Sequence, residues 1–184
     1  PGEKTGHITS ITLKKYLEVK GDGKSTLLEL IKKDERAKNY LDVVLELNRE
    51  NLELIPPLSD NRVLTVIGNH SKGTQFINGN HLINNSLIKT LDTINKDIRG
   101  WNYGRIDVKY NDFNELLNRE NFKILEINGV IAEPTHIYDA TNGTYLKALK
   151  SIKDHWKIIY KIGVKNKQLN KGEYTNLKYL IAVY

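Results

Sequence analysis

Hydrophobic and polar residues alternate along this chain with several different periods, and each period predicts an element. His7 to Val19 (HITSITLKKYLEV) mixes β-branched with polar residues and predicts extended structure. Leu27, Leu28, Leu30 and Ile31 give a short helix its apolar side, and Thr26 stands three residues before Glu29, the spacing of a capping box. Tyr40 to Leu47 is apolar and acidic and predicts a second helix, after which Pro56-Pro57 breaks the chain. Arg62 to Ile67 (RVLTVI) predicts a buried strand, with Thr74 to Ile77 pairing to it across the GNHSKG loop. Ser86 is placed to cap a helix whose Leu87, Ile88, Leu91, Ile94 and Ile98 share a face. Tyr103 to Tyr110 and Phe122 to Asn128 predict two further strands, joined by the polar connection Asn111 to Asn121. Thr144 to Tyr160 carries Leu146, Leu149, Ile152, Trp156 and Ile159 at helical spacing, and a Lys- and Asn-rich tail ends in the apolar YLIAVY. Nothing repeats and no linker divides the chain, so the pattern predicts α+β structure in one lobe.

Composition narrows the classes. At 184 residues the chain has room for one domain with a sizeable core, or for part of a larger protein. No run approaches the roughly 18 apolar residues of a membrane span and no signal peptide is visible, so a cytoplasmic protein without a membrane partner is expected. Cysteine is absent, which excludes disulfides and thiolate metal sites and is compatible with a reducing compartment. The formal charge of +6 raises nucleic acid, but the lysines read as scattered among Asp and Glu, as on a solvated surface. The tyrosines do not alternate with Lys or Arg as on a strand-binding surface, so no nucleic-acid partner is expected. His7, His81 and His155 read as surface histidines, and Trp101 and Trp156 as packing residues. Methionine is absent and the first residue is Pro1, which leads us to expect a fragment.

VKGDGKST (Val19 to Thr26) resembles a phosphate-binding loop at first sight. A Walker A loop needs G-x-x-x-x-G-K-[ST], and counting back from Gly23-Lys24-Ser25 puts Glu18 where the first glycine belongs. An acidic side chain there would face phosphate charge, and no apolar strand ending in Asp follows convincingly. A Gly-Asp-Gly turn entering a capped helix explains the same residues.

The stronger signal is the pair YGRIDVKY (103–110) and FKILEIN (122–128). Alternate residues of a strand share a face, so Arg105, Asp107 and Lys109 point one way while Ile106 and Val108 point into the core. Glu126 and Asn128 likewise share a face, with Leu125 and Ile127 opposite. If the strands are antiparallel neighbours, Asp107, Glu126 and Asn128 converge as two carboxylates and an amide oxygen, a hard-oxygen set suited to Mg²⁺. An arginine on that face supplies a fixed cation for developing negative charge. Polar alternation on a half-exposed sheet gives the same spacing without any metal.

GRIDV and ILEIN resemble the end of the ATP-grasp domain of D-alanine–D-alanine ligases and other carboxylate–amine ligases, where an R-x-D strand is followed by an E-x-N strand. GDGKSTLLELI, GNHSKGT and HIYD resemble segments of the cyanophycin synthetase-like subset. The resemblance runs from about Pro1 to Tyr160. It implies that residues 1–184 are the C-terminal part of an ATP-grasp domain, an α+β lobe with a mostly antiparallel sheet and packed helices. The substrate domain and the lobe with the anchoring lysines and Gly-rich flap would precede it, so residues 1–184 alone are not expected to turn over ATP.

The resemblance further implies an ATP-dependent ligase. Asp107, Glu126 and Asn128 would hold one or two Mg²⁺ ions, for which Mn²⁺ can substitute, and Arg105 would be the catalytic cation. A substrate carboxylate would take the γ-phosphoryl group of ATP, and an amine would then displace phosphate. Lys24, His70, Lys72, Glu133, His136 and Asp139 are candidate substrate-binding residues, each of which also reads as a turn or cap. After Asn128 the sequence GVIAEPTHIYD departs from the Pro-Gly-rich loop of the D-alanine ligases, so dipeptide specificity does not carry over. The implied partners are a small carboxylate and an amine, and a homo-oligomer is compatible. The alternatives are an ATP-grasp-derived module that binds without ligating and, after it, a P-loop NTPase.

Overall fold

The computed structural model describes residues 5–69, 72–98, 100–139, 141 and 143–169. These form a mixed α+β structure of α-helices and small two-stranded antiparallel sheets, divided between two compact units.

The first unit comprises Thr12–Gly79 and Tyr138–Gly143. Its elements are β1 (Thr12–Lys15), β2 (Glu18–Lys20), α1 (Leu27–Lys33), α2 (Leu41–Asn48), β3 (Asn61–Val63) and β4 (Gln75–Asn78). Leu17, Val19, Leu27, Ile31, Val44 and Leu64 form its core. The capping box expected at α1 is present: the Thr26 hydroxyl accepts from the Glu29 N–H at 3.2 Å, and the Glu29 carboxylate accepts from the Thr26 N–H at 3.0 Å.

Two expectations fail in this unit. RVLTVI is not a buried strand: the strand ends at Val63 with its residues exposed, one further main-chain bond runs from the Leu64 N–H to the Leu17 carbonyl at 2.8 Å, and burial follows only at Leu64 and Thr65. The reason is local, because β3 has only the three-residue β2 to pair with. Nor does Thr74 to Ile77 pair with that run. Thr74 Oγ1 donates to the Ile67 carbonyl at 2.6 Å, and β4 runs on to pair with β1, Leu13 opposite Ile77.

The second unit comprises Pro1–Ile11, Asn80–Ile137 and Thr144–Tyr184. It contains α3 (Asn85–Lys96), β5 (Arg105–Tyr110), α4 (Phe113–Leu117), β6 (Phe122–Asn128) and α5 (Tyr145–Gln168). α3 begins one residue before Ser86: the cap is Asn84, whose side chain accepts from the Leu87 N–H at 2.9 Å, while Ser86 lies exposed in the first turn. The connection between the two strands is itself helical. Asp112 caps α4 by accepting from the Asn114 and Glu115 N–H groups, and Arg119 and Asn121 take left-handed conformations to turn the chain into β6.

α5 begins after Thr144, whose side chain caps it by accepting from the Lys147 N–H, and runs two turns beyond the expected end at Tyr160. Its orientation reverses part of the reading. His155, expected on the surface, is 8% exposed, whereas Trp156, expected to pack, is 58% exposed. The two are adjacent and therefore about 100° apart around the helix, so only one can face inward. The back of β5–β6 also departs from expectation, because Ile127 and Leu125 are exposed where a core was anticipated. The YLIAVY segment lies outside the described residues. No helix among the described residues is long and apolar enough to cross a membrane.

Candidate functional site

β5 and β6 form an antiparallel ribbon in which Arg105 is opposite Asn128 and Asp107 is opposite Glu126. Directly opposed residues point to the same side of a sheet, with Cβ atoms about 4.5–5.5 Å apart. The register therefore puts all four expected residues on one face. Beyond Asp107 a bulge intervenes: Val108 is opposite Ile124, which leaves Leu125 without a partner position. The strict alternation read from FKILEIN stops there, and Lys109 faces Lys123 next along the ribbon.

Arg105 Nε donates to Asp107 Oδ1 at 3.0 Å, and Nη1 donates to the Glu133 carbonyl at 3.5 Å. The Asp107 side chain is 12% exposed and the Arg105 side chain 33%. Glu126 is exposed. The amide nitrogen of Asn128 is buried and finds no hydrogen-bond partner among the described residues. A buried donor left so calls for an acceptor oxygen, which a phosphate or carboxylate supplies. Turned over, the same amide offers its oxygen to a cation.

Gly104, which sequence reasoning passed over, fixes the end of the ribbon. A β-carbon there would stand 2.2 Å from the Asn128 carbonyl oxygen and 2.6 Å from the Trp101 ring. Glycine is required because the backbones on either side of Arg105 and Asn128 approach closer than any side chain allows. The signal was present as the glycine before R-x-D, but its reason is visible only in three dimensions.

The remaining candidates have separate settings. Lys24, Lys72 and Asp139 belong to the first unit. Lys24 is exposed in the VKGDGKST turn, whose other polar groups serve the turn itself. The Asp22 carboxylate accepts from the Lys24 N–H at 2.9 Å, the Ser25 N–H at 2.7 Å and the Ser25 hydroxyl at 2.8 Å. Hydrogen bonds from the Ser25 and Lys24 main chain hold its pKa down at about 2. The donors that would cradle a phosphate are thus already taken by a carboxylate of the same loop, which answers the Walker-like appearance.

Lys72 is half-buried in the loop before Thr74, and His70 lies outside the described residues. Asp139 is buried, accepting from the Asn78 N–H at 2.7 Å and from the Thr141 N–H at 2.8 Å. Glu133 and His136 are in the second unit with the ribbon. Glu133 meets Arg105 through its main chain. His136 has Nε2 3.2 Å from Ser151 Oγ and its ring centroid 6.1 Å from that of His155. Burial, and then the neighbouring His155, lower its pKa from the ordinary histidine value.

Asp107, Glu126 and Asn128 fit a hard divalent cation by donor chemistry: two carboxylates and an amide. Among the described residues no group of three or more His, Cys, Asp and Glu side chains gathers as a metal site. No protein-family model and no curated protein matches this chain.

Proposed function

We propose that the β5–β6 ribbon carries the metal and phosphoryl end of an ATP-dependent carboxylate–amine ligase of the ATP-grasp type. The observation that supports this reading best is the register, Asp107 against Glu126 and Arg105 against Asn128, which gathers on one face the residue types that the R-x-D and E-x-N resemblance calls for. A bound Mg²⁺, or Mn²⁺ in its place, would neutralise phosphate charge so that one anion can approach another.

The chain's own residues have distinct tasks in this reading. Asp107 and Glu126 hold the cation side of the site, and Asp107 also fixes the Arg105 guanidinium through the Nε hydrogen bond. That leaves the Nη groups to face oxygen acceptors, a role Nη1 already plays toward the Glu133 carbonyl. The guanidinium would stabilise the transferring phosphoryl group, and then the oxyanion formed when the amine attacks the acyl phosphate. Asn128, with its unmet buried donor, would bind a phosphate or carboxylate oxygen, or a cation through its amide oxygen. The protein is proposed to be cytoplasmic.

The test is ADP release from Mg-ATP by the protein in its full natural length, measured against a panel of amino acids and small acids. Stimulation by one acid–amine pair, lost in Glu126→Gln, supports the ligase. Tight nucleotide binding without turnover for any pair would establish instead a module that binds but does not ligate, a reading favoured by the Arg105–Asp107 pair, which already satisfies part of both groups. Undiminished turnover in Glu126→Gln would remove the ribbon from the mechanism.

A further inference from the structure

The charge of this chain is not scattered. α5 (Tyr145–Gln168) carries seven lysines and one acidic residue, Asp154. The whole chain has 28 Lys and Arg and 22 Asp and Glu, so taking α5 away leaves 21 of each. The formal charge of +6 therefore resides on one helix, and the rest of the chain is neutral.

The lysines are also in register with exposed apolar residues. Leu149, Trp156, Tyr160 and Val164 lie on one strip along α5 and all four are exposed, with exposed Lys153 on the same strip between Leu149 and Trp156 and exposed Lys167 beyond Val164. Lys150, Lys157, Lys161 and Lys165 each follow one of them and make the adjoining strip, also exposed. The two strips run side by side for about 24 Å. Asp154, 3.5 Å from Lys157, is the single acid against this row. The inward face of the helix is separate and is centred on His155.

We propose that α5 is an interfacial helix that lays this protein on an anionic lipid bilayer. The apolar strip enters the headgroup boundary, Trp156 and Tyr160 sit at the level where their ring and polar edge are both satisfied, and the lysines reach sideways to lipid phosphates. A partner of this chemistry is favoured over nucleic acid by Leu149 and Val164. Neither can stack on a base, whereas both gain by leaving water for acyl chain. All seven cations are lysines, suited to diffuse headgroup charge, and arginine, whose planar fork reads single phosphates bidentately, is absent from the helix. The inference stands apart from the proposed ligase chemistry and revises the expectation that the protein has no membrane partner.

The experiment is flotation of the 184-residue protein with vesicles of phosphatidylcholine alone, or with 30% phosphatidylglycerol, together with tryptophan emission. Binding is expected only to the anionic vesicles, with a blue shift absent from Trp156→Phe. Each of Lys150→Gln, Lys157→Gln and Lys161→Gln should weaken partition about fivefold, and the triple variant about 100-fold. Lys32→Gln, Lys89→Gln and Lys96→Gln together remove the same charge elsewhere and should leave partition within about twofold. Trp156→Ala with Tyr160→Ala should weaken binding with the charge intact. The proposal is overturned by no binding to anionic vesicles, or by equal losses in the two lysine triples. It is equally overturned by retention of a single-stranded oligonucleotide in place of vesicles, or by Trp156 emission already shielded in buffer, which would mean that the chain or a second copy covers the strip.

Discussion

Gly104→Ala tests the geometry of the site with a single methyl group. The new carbon would lie 2.2 Å from the Asn128 carbonyl oxygen, where ordinary contact begins near 3.4 Å. The ribbon end must therefore open by about 1 Å, the difference between these distances, or the Trp101 ring and Asn128 strand must part. Strain of this kind costs about 1–3 kcal/mol. Gly129, on the other side of Asn128, provides the control: nothing lies within 4 Å of a β-carbon there, and its φ is not in the left-handed region. Gly129→Ala should be neutral, or stabilising by about 0.4–1 kcal/mol, because alanine restricts the unfolded chain. Urea unfolding of the two variants gives the difference directly, and about 1–4 kcal/mol is expected between them. In a turnover assay, displacing Arg105 and Asn128 by about 1 Å should cost on the order of 100-fold. Equal stabilities for the two alanine variants would refute the close approach at Gly104 and, with it, the placement of this end of the site.

Three further outcomes are expected. The Asp22 pKa is lowered to about 2 from the ordinary aspartate value of 3.8, so its contribution to stability is complete above the unfolded value and is lost as pH falls from about 4 through about 2. Asp22→Asn should remove that segment of the acid-unfolding curve and leave the curve above pH 5 unchanged in slope. His136 has a lowered pKa, so it favours its neutral form when folded, and stability should fall as pH drops below the ordinary histidine value; NMR titration should find it below 6.5, and His136→Gln should flatten that part of the pH profile. Gly163 lies inside α5 with open space around it, and Gly163→Ala should raise the thermal midpoint, with a gain of up to about 1 kcal/mol.

Legibility in the sequence followed the range of the interaction. The capping box at Thr26 depends on residues three apart and was legible, whereas the cap expected at Ser86 is made two residues earlier by Asn84. The strands of the ribbon were legible because Arg105 to Tyr110 and Phe122 to Asn128 have strong β-propensity and clear flanks. Their face-sharing was legible as well, up to the bulge at Leu125, which no local pattern announces. The pairing of β4 with β1 was not, because it joins residues as far apart in sequence as Thr12 and Asn78 and no local pattern carries it. α4 was hidden in a polar connection, where only Asp112 ahead of Phe113 marked a cap. The concentration of charge on α5 does not show in whole-chain composition, because its seven lysines are a minority of the 28 basic residues.

The proposed chemistry requires Asp107, Glu126 and Asn128 to share divalent cations, and Mn²⁺ titration followed by electron paramagnetic resonance tests this most directly. Asp107→Asn and Glu126→Gln should each weaken Mn²⁺ binding at least about tenfold, and the double variant should lose less than the two effects combined, as expected of groups acting on one ion. Mn²⁺ affinity unchanged from the parent in both single variants would contradict it.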